Sequence, residues 1–218
     1  MYALAGLVVI ALEAIIVFVG HPYKQNNAII ADVIVEPFLA TLVTAFTYAD
    51  VREDLSVRAT WLRVLERSWA VLIIDLLLQL IGVLGLGSIA ATDLIDKLLG
   101  VGVLIIAISF VFADVHATVV EDAEPWWLLV PRSLGVSMAV AWQGITFARA
   151  LIVFGISVPF AQLFNALIQA AFNAQHLPAA FFWGNVLSTV LLLPPVQAFC
   201  TYVYLDAIGH EPESSASR

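Results

Sequence analysis

The chain has 218 residues, of which 62% are hydrophobic and 12% charged, and its formal net charge is -8. Soluble domains are nearer half apolar and a quarter charged, so this composition predicts an integral membrane protein and excludes an ordinary soluble domain. The acidic balance, with no basic stripe, excludes a nucleic-acid-binding function. The single cysteine, Cys200, lies inside an apolar run and can form no internal disulfide, which is typical of a buried, inert thiol.

Long apolar runs recur along the chain and predict about six membrane-spanning helices, hence an all-α, polytopic helical bundle. The first run, residues 2–20, lacks a basic start and carries Glu13, so a retained helix is expected instead of a signal peptide. The other predicted spans cover residues 28–50, 69–90, 98–118, 132–157 and 180–207. Residues 1–208 are expected to form a single transmembrane domain, and the Ser-rich residues 209–218 a disordered cytoplasmic tail.

The segment between the second and third predicted spans, residues 51–67, is rich in charge and amphipathic. Its apolar residues recur at spacings of three and four, which places them on one helical face opposite the polar ones. The two faces comprise Leu55, Ala59, Leu62, Leu65 and Trp69, and Arg52, Ser56, Thr60, Arg63 and Arg67, respectively. This pattern predicts an amphipathic connector at the level of the lipid headgroups, with a helix docked on the bundle as the alternative.

Small and amide residues mark two further segments. The third span ends in Gly82, Gly85 and Gly87, and in a bilayer such small residues indicate close helix packing, not a nucleotide-binding loop. In residues 160–173, amide side chains at spacings of three and four share one helical face: Gln162, Asn165, Gln169 and Asn173. This segment is predicted to be an interfacial or re-entrant helix, or a kinked extension of the fifth span. A seventh span is disfavoured because it would reverse the side on which the chain ends.

A short pattern recurs at the ends of the predicted spans. An aromatic residue, any residue and an aspartate close a run three times, and Trp-(x5)-Arg-Ser opens a run twice. The aromatic and aspartate residues are Tyr48 and Asp50, Phe112 and Asp114, and Tyr204 and Asp206. The Trp, Arg and Ser residues are Trp61, Arg67 and Ser68, and Trp126, Arg132 and Ser133. This repeat predicts three helical hairpins, with all of the repeated residues on one side of the membrane.

The repeated aspartates and arginines are expected to tie one hairpin to the next. Asp50 and Asp114 would each pair with Arg67 or Arg132, and Ser68 and Ser133 would cap the following helices. A substrate or lipid phosphate bound by these arginines is the alternative. Because arginines are concentrated on this side, the positive-inside rule predicts that it is cytoplasmic, together with both termini.

The same motifs resemble those of a family of six-helix prokaryotic membrane proteins, related to the membrane domain fused to some glycerophosphodiester phosphodiesterases. The resemblance covers residues 37–206. It rests on Tyr48, Asp50 and Arg52, on Glu121, Pro125, Arg132 and Ser133 between two spans, and on Tyr204 and Asp206. It implies a six-helix fold in the prokaryotic cytoplasmic membrane, and it implies no reaction because only the membrane domain corresponds.

Ionisable residues inside the predicted spans are the main candidates for a functional site, because charge is costly in a bilayer. They are Glu13, Asp32, Glu36, Asp75 and Arg149. At about 1.5 Å per residue, Glu13 and Glu36 lie roughly 20 Å from the cytoplasmic ends, and Asp32 and Arg149 roughly 25 Å. These four are predicted to form a charge cluster, with Arg149 paired most closely to Glu36. A structural ion pair and a proton or cation path are the two interpretations.

The sequence contains no catalytic set. It has no nucleophile motif, and its four histidines show no metal-ligand spacing, so no metal and no cofactor are expected. The leading hypothesis is a non-enzymatic scaffold or accessory subunit, whose partners are the lipid bilayer and other membrane subunits or a second copy of the chain. A small transporter that uses the buried charges is the alternative, and an intramembrane lipid-handling enzyme is a third.

Overall fold

A computed structural model describes residues 25–52, 56–90, 92–120, 125–175 and 180–209, and within these ranges the chain is all-helical. The helices are α1 (Gln25–Arg52), α2 (Val57–Ile89), α3 (Leu94–Ser109), α4 (Ala113–Val119), α5 (Trp126–Ala141), α6 (Thr146–Ala174) and α7 (Ala180–Gly209). The first predicted span with Glu13, and the expected tail from residue 210 onward, lie outside the described residues.

Three stretches of the described chain are long and apolar enough to cross a membrane: Val57–Ile89, Leu94–Val119 and Leu191–Gly209. A fourth is added if the bent pair Trp127–Ala141 and Thr146–Val153 counts as one span. The prediction of an all-helical protein is therefore confirmed, and several of its helices are long and apolar enough to cross a membrane. The number of six spans stays a prediction.

Helix α2 joins the expected connector and the expected third span into one helix of 33 residues. It begins at Val57, where the hydroxyl of Ser56 accepts a hydrogen bond from the backbone N–H of Ala59 at 3.2 Å. Ser68 lies in the middle of this helix and donates its hydroxyl to the carbonyl of Val64. The prediction that Ser68 caps a helix is therefore wrong, because the cap stands three turns earlier.

The first half of α2 packs with its polar face inward. Thr60 is 1% exposed and Arg67 is buried, whereas Leu62, Leu65 and Trp69 are exposed. An apolar outer face suits a helix that borders lipid, and the inner polar groups find partners on other helices. The polar face of this segment is therefore the one docked on the bundle, and its place at the level of the lipid headgroups stays a prediction.

The helical path breaks between α3 and α4 at residues 110–112. Ser137 of α5 satisfies both sides of this break: its hydroxyl accepts from the N–H of Phe112 at 3.0 Å and donates to the carbonyl of Ser109 at 3.0 Å. A buried break needs such partners, since unpaired backbone groups are costly away from water. Asp114 consequently lies in the first turn of a new helix and not at the end of an old one, contrary to the interpretation of the repeat.

A second break separates α5 from α6 and replaces the continuous fifth span that the sequence predicts. The chain turns at residues 142–145, where Gly144 has a φ of 47°, and the two helices meet at 105°. Glycine adopts this left-handed conformation without the steric cost that other residues carry. The amide-bearing stretch 160–173 is the second half of α6, which contains Pro159. Among the alternatives, the structure shows an extension of the preceding helix.

The aromatic residues of the repeated pattern pack together. Tyr48, Phe112 and Tyr204 all belong to a single buried hydrophobic cluster, and the rings of Phe112 and Tyr204 lie 6.1 Å apart. Two further clusters fill the space between α1 and α2 and between α2, α4 and α5. The repeat therefore has a structural basis, because its aromatic members pack against each other.

Helices α2 and α3 approach each other closely at two glycines. A methyl group added to Gly100 would lie 2.6 Å from the backbone oxygen of Gly85 and 2.7 Å from the backbone nitrogen of Ile89. The close packing that the sequence predicts for glycines is confirmed at Gly85, whereas Gly82 and Gly87 have open space around them.

We expect Gly100→Ala to lower the free energy of unfolding by about 1–3 kcal/mol, because the clash involves backbone atoms that cannot rotate away. Gly102→Ala is the matched control, since a methyl group there meets nothing within 4 Å. The control should be neutral, or more stable by up to about 1 kcal/mol through helix propensity. Thermal unfolding of the detergent-solubilised protein measures both, and equal effects would contradict the close contact.

Candidate functional site

Two aspartates from different helices face each other inside the bundle. The carboxyl groups of Asp75 on α2 and Asp114 on α4 lie within hydrogen-bonding reach of each other. Asp114 is only 9% exposed, and Asp75 is partly buried. A hydrogen bond between two carboxyl groups needs a proton on one of them, so the pair is able to hold a proton.

Small side chains bring the two helices close enough for this contact. Ala113 and Ala117 of α4 pack against Val71 and Ile74 of α2 in one buried cluster. Because alanine has only a methyl group, the backbones approach closely, and Asp75, next to Ile74, comes within reach of Asp114. Asp75 lies eight residues beyond Arg67 on α2, which is about 12 Å deeper along the helix axis.

A third acid approaches the pair from α1. Glu36 is close enough to Asp114 to repel its negative charge, and the thiol of Cys200 on α7 lies near the same carboxyl group. Four helices therefore converge on Asp114. Glu36 is the one member of the predicted charge cluster that the structure brings to this place. Glu13 lies outside the described residues, as does the side chain of Asp32.

Two arginines of α2, of which Arg67 was expected to pair with an aspartate, bind backbone carbonyls at the end of α4. Arg63 donates to the carbonyl of Val119 at 2.9 Å, and Arg67 donates to that of Val120 at 3.4 Å. The last carbonyls of a helix have no partner within it, and the helix dipole favours a cation there, so the end of α4 attracts these guanidinium groups. The predicted pairing of Asp114 with Arg67 or Arg132 is therefore wrong: Asp114 faces a carboxyl group and not a guanidinium.

The other expected ties are also placed differently. Asp50 is exposed and forms no ion pair with any described residue. Arg132 is exposed on α5, and Ser133 beside it is fully buried in the interior of that helix, so it caps nothing. Helix α5 begins earlier, at Trp126, which explains why the predicted cap at Ser133 is wrong.

Arg149 lies at the start of α6 and pairs with Asp206 near the end of α7. Its guanidinium donates to the carboxylate at 2.7 Å, and the two side chains are 41% and 47% exposed. The predicted pair of Arg149 with Glu36 is therefore wrong. The bend at residues 142–145 is the reason, because it turns what seemed the middle of a long span into the first turn of a new helix.

Two buried polar contacts that the sequence gave no sign of connect α7 to the rest of the bundle. The Nδ1 atom of His116 lies 2.7 Å from the hydroxyl of Tyr204, and both side chains are buried. The amide of Gln197 donates to the hydroxyl of Thr44 at 2.9 Å. The two residues of each pair are far apart along the chain, so no pattern of sequence spacing predicts their contact. Asp75 did carry a signal, as a single acid in an apolar run.

The chain matches no family model, no curated protein and no solved structure. The resemblance drawn from the short motifs therefore stays a prediction. In the described part of the chain, no group of three or more His, Cys, Asp or Glu residues is placed to bind a metal ion. The carboxyl pair and its neighbours are therefore the features of the structure that bear on function.

We expect Arg149→Met to lower the free energy of unfolding by less than about 1 kcal/mol, because the ion pair with Asp206 is about half exposed and is screened by solvent. Asp206→Asn should behave alike, and the double variant should cost no more than either single one. Chemical unfolding in detergent measures the three variants. A loss several times larger, recovered by adding Glu36→Gln, would contradict the observed pairing and favour the pair with Glu36.

Proposed function

We propose that the protein is a small, non-enzymatic transporter component of a membrane, which carries a proton or a small cation through the carboxyl pair of Asp75 and Asp114. The observation that carries this proposal is the pair itself, which lies on two stretches of the chain that are long and apolar enough to cross a membrane. An ionisable residue within a span is costly, and a pair that can hold a proton is the chemistry that proton- and cation-coupled carriers need.

The fold does not require these acids. Three hydrophobic clusters already hold α1, α2, α4, α5 and α7 together. Placing Glu36 near Asp114 adds repulsion, which a purely structural arrangement would avoid. A cation or a proton at this place relieves that repulsion. The site is thus more stable when occupied, which supports a binding role.

The carrier proposed here differs in its residues from the one that the sequence suggests. Arg149 is paired with an exposed carboxylate and takes no part. Glu36 remains, as a neighbour of the pair, and Asp75 and Asp114 replace the other predicted members. The proposed carrier site is therefore acidic throughout, which favours a cationic substrate over an anionic one.

The proposal includes the finer topology: six spans in three hairpins, amphipathic connectors and both termini on the cytoplasmic side, and a prokaryotic cytoplasmic membrane as the location. The common cluster of Tyr48, Phe112 and Tyr204 supports the hairpins, since it brings together the ends of three apolar runs. The arginines near this end, Arg63 and Arg67, support the cytoplasmic assignment through the positive-inside rule.

A scaffold or accessory subunit is the second candidate, and the outer surface of α6 favours it. Large apolar side chains are exposed along this helix, and the polar side chains of Gln162 and Asn173 are exposed among them. The apolar side chains are Leu151, Ile152, Ile156, Phe160, Leu163 and Leu167. Such a mixed surface is suited to another membrane helix that offers hydrogen bonds as well as apolar contact.

Flux through proteoliposomes tests the carrier. With a pH-sensitive dye inside, and sodium or potassium chloride on either side, the wild-type protein should collapse an imposed pH or cation gradient faster than protein-free vesicles. Asp75→Asn and Asp114→Asn should reduce the rate to that of empty vesicles, because neither amide can exchange a proton. Asp50→Asn is the matched control, since Asp50 is exposed and distant from the pair in sequence, and it should leave the rate unchanged.

If wild-type vesicles are as tight as empty ones under every gradient, the carrier proposal is wrong and the accessory role takes its place. An unchanged rate in both asparagine variants would mean that flux occurs elsewhere in the bundle.

Cysteine labelling from outside intact cells tests the topology. In a Cys200→Ala background, Val57→Cys should resist a membrane-impermeant maleimide, and Thr92→Cys should react. Both positions are exposed and lie at opposite ends of α2, so accessibility in the folded protein is matched. Labelling at Val57→Cys and not at Thr92→Cys would reverse the proposed orientation.

A further inference from the structure

The outer surface of α2 carries a heptad pattern, which we call the α2 stripe. Its positions recur at alternating spacings of three and four residues, the period of helices that pair side by side. They are Leu62, Leu65, Trp69, Leu72, Leu76, Gln79 and Val83. Every member except the half-buried Leu72 is exposed, so the described helices leave the stripe open.

One member of the α2 stripe is polar. The side chain of Gln79 is exposed and forms no hydrogen bond with any described residue. Gln79 lies ten residues before Ile89, the end of a stretch that is long and apolar enough to cross a membrane. That distance is about 15 Å along the axis, half of a bilayer core about 30 Å thick. Lipid tails offer neither donor nor acceptor at this depth, so the amide calls for a partner on another helix.

The chemistry of the α2 stripe matches a second copy of itself. An amide has donors and an acceptor, so two copies of Gln79 satisfy each other across a two-fold axis. An axis along the membrane normal places both amides at the same depth, which a different protein achieves only if it has a polar residue there. The only ionisable residue between Trp69 and Ile89 is Asp75, which faces Asp114 inside the bundle. Two copies therefore meet along this part of α2 without repulsion between charges.

The outer surface of α6 is less suited to pairing with its own copy. Two of its amides already satisfy each other, since Gln169 donates to Asn165 at 2.7 Å. The unsatisfied amide in an uncharged heptad pattern is thus a feature of α2.

We infer that the α2 stripe is the interface of a homodimer, in which the α2 helices of two copies pair in parallel and their Gln79 amides bond to each other. The inference is independent of the proposed carrier, because none of these residues belongs to the carboxyl pair. One polar residue in an apolar seam fixes the register of the two helices. Leu76 and Val83 of one copy therefore lie beside their own counterparts in the other.

Disulfide cross-linking in native membranes tests the interface. In a Cys200→Ala background, Leu76→Cys and Val83→Cys should each give a cross-linked dimer with copper phenanthroline. Residues beside their own counterparts come within the roughly 4.4–6.8 Å between Cα atoms that a disulfide spans. Leu77→Cys and Leu84→Cys are the matched controls, because each is also exposed and lies at nearly the same depth. They lie about 100° further round the helix and should stay monomeric.

Energy transfer between donor- and acceptor-labelled copies in vesicles tests the role of the amide, as the protein is diluted with lipid. The labels are attached at Val57→Cys in the Cys200→Ala background. Gln79→Leu should weaken the dimer by roughly threefold to thirtyfold, as expected for loss of an interhelical hydrogen bond in a membrane. Gln79→Asn keeps the amide and should weaken it less. Gln162→Leu is the matched control, since Gln162 is an exposed amide on α6, and it should leave the affinity unchanged.

Monomers in all four cysteine variants would overturn the inference and leave the α2 stripe to lipid or to another protein. Equal cross-linking in all four would also overturn it, because random collision has no preferred face. An unchanged affinity in Gln79→Leu, with a loss in Gln162→Leu, would place the interface on α6. A dimer that leaves vesicles tight would keep this interface and reject the carrier.

Discussion

The arrangement of the bundle depends on one break in a helix and on the serine that satisfies it. Between α3 and α4 the backbone groups of Ser109 and Phe112 leave the regular helical pattern, and Ser137 supplies a donor and an acceptor for them. In a bilayer no water is at hand to do this. Because the chain restarts there, Phe112 enters the aromatic cluster and Asp114 turns inward.

The end of the same short helix explains where the arginines lie. Its last carbonyl groups have no partners along the chain, and Arg63 and Arg67 reach across from α2 to bind them. Arg63 also lies over the ring of Tyr48, with its guanidinium carbon 5.2 Å from the ring centre. The guanidinium groups thereby join α1, α2 and α4, and the aspartates of the repeat are released for other contacts.

Composition and periodicity predicted the helical class, the stretches apolar enough to cross a membrane and the packing at Gly85, because these depend on local apolar runs and residue size. The pairing of charges was not predictable, since each partner is fixed by a break: one at residues 110–112 turns Asp114 towards Asp75, and one at residues 142–145 brings Arg149 to Asp206. Neither break carries a proline. Asp75 stood out as an acid in an apolar run, but only the fold reveals its partner.

The contact of Thr44 with Gln197 has a consequence for biogenesis. The two residues are 153 positions apart, and Thr201 adds a second contact to Thr44 at 3.4 Å. At synthesis rates of about 5–20 residues per second, α1 is made roughly 10–30 s before α7 has emerged. During that interval the hydroxyl of Thr44 can bond to the carbonyl one turn back along its own helix. The hydroxyl of the early helix therefore has a partner before α7 is made, and its oxygen atom then accepts the hydrogen bond from Gln197 that joins α1 to α7.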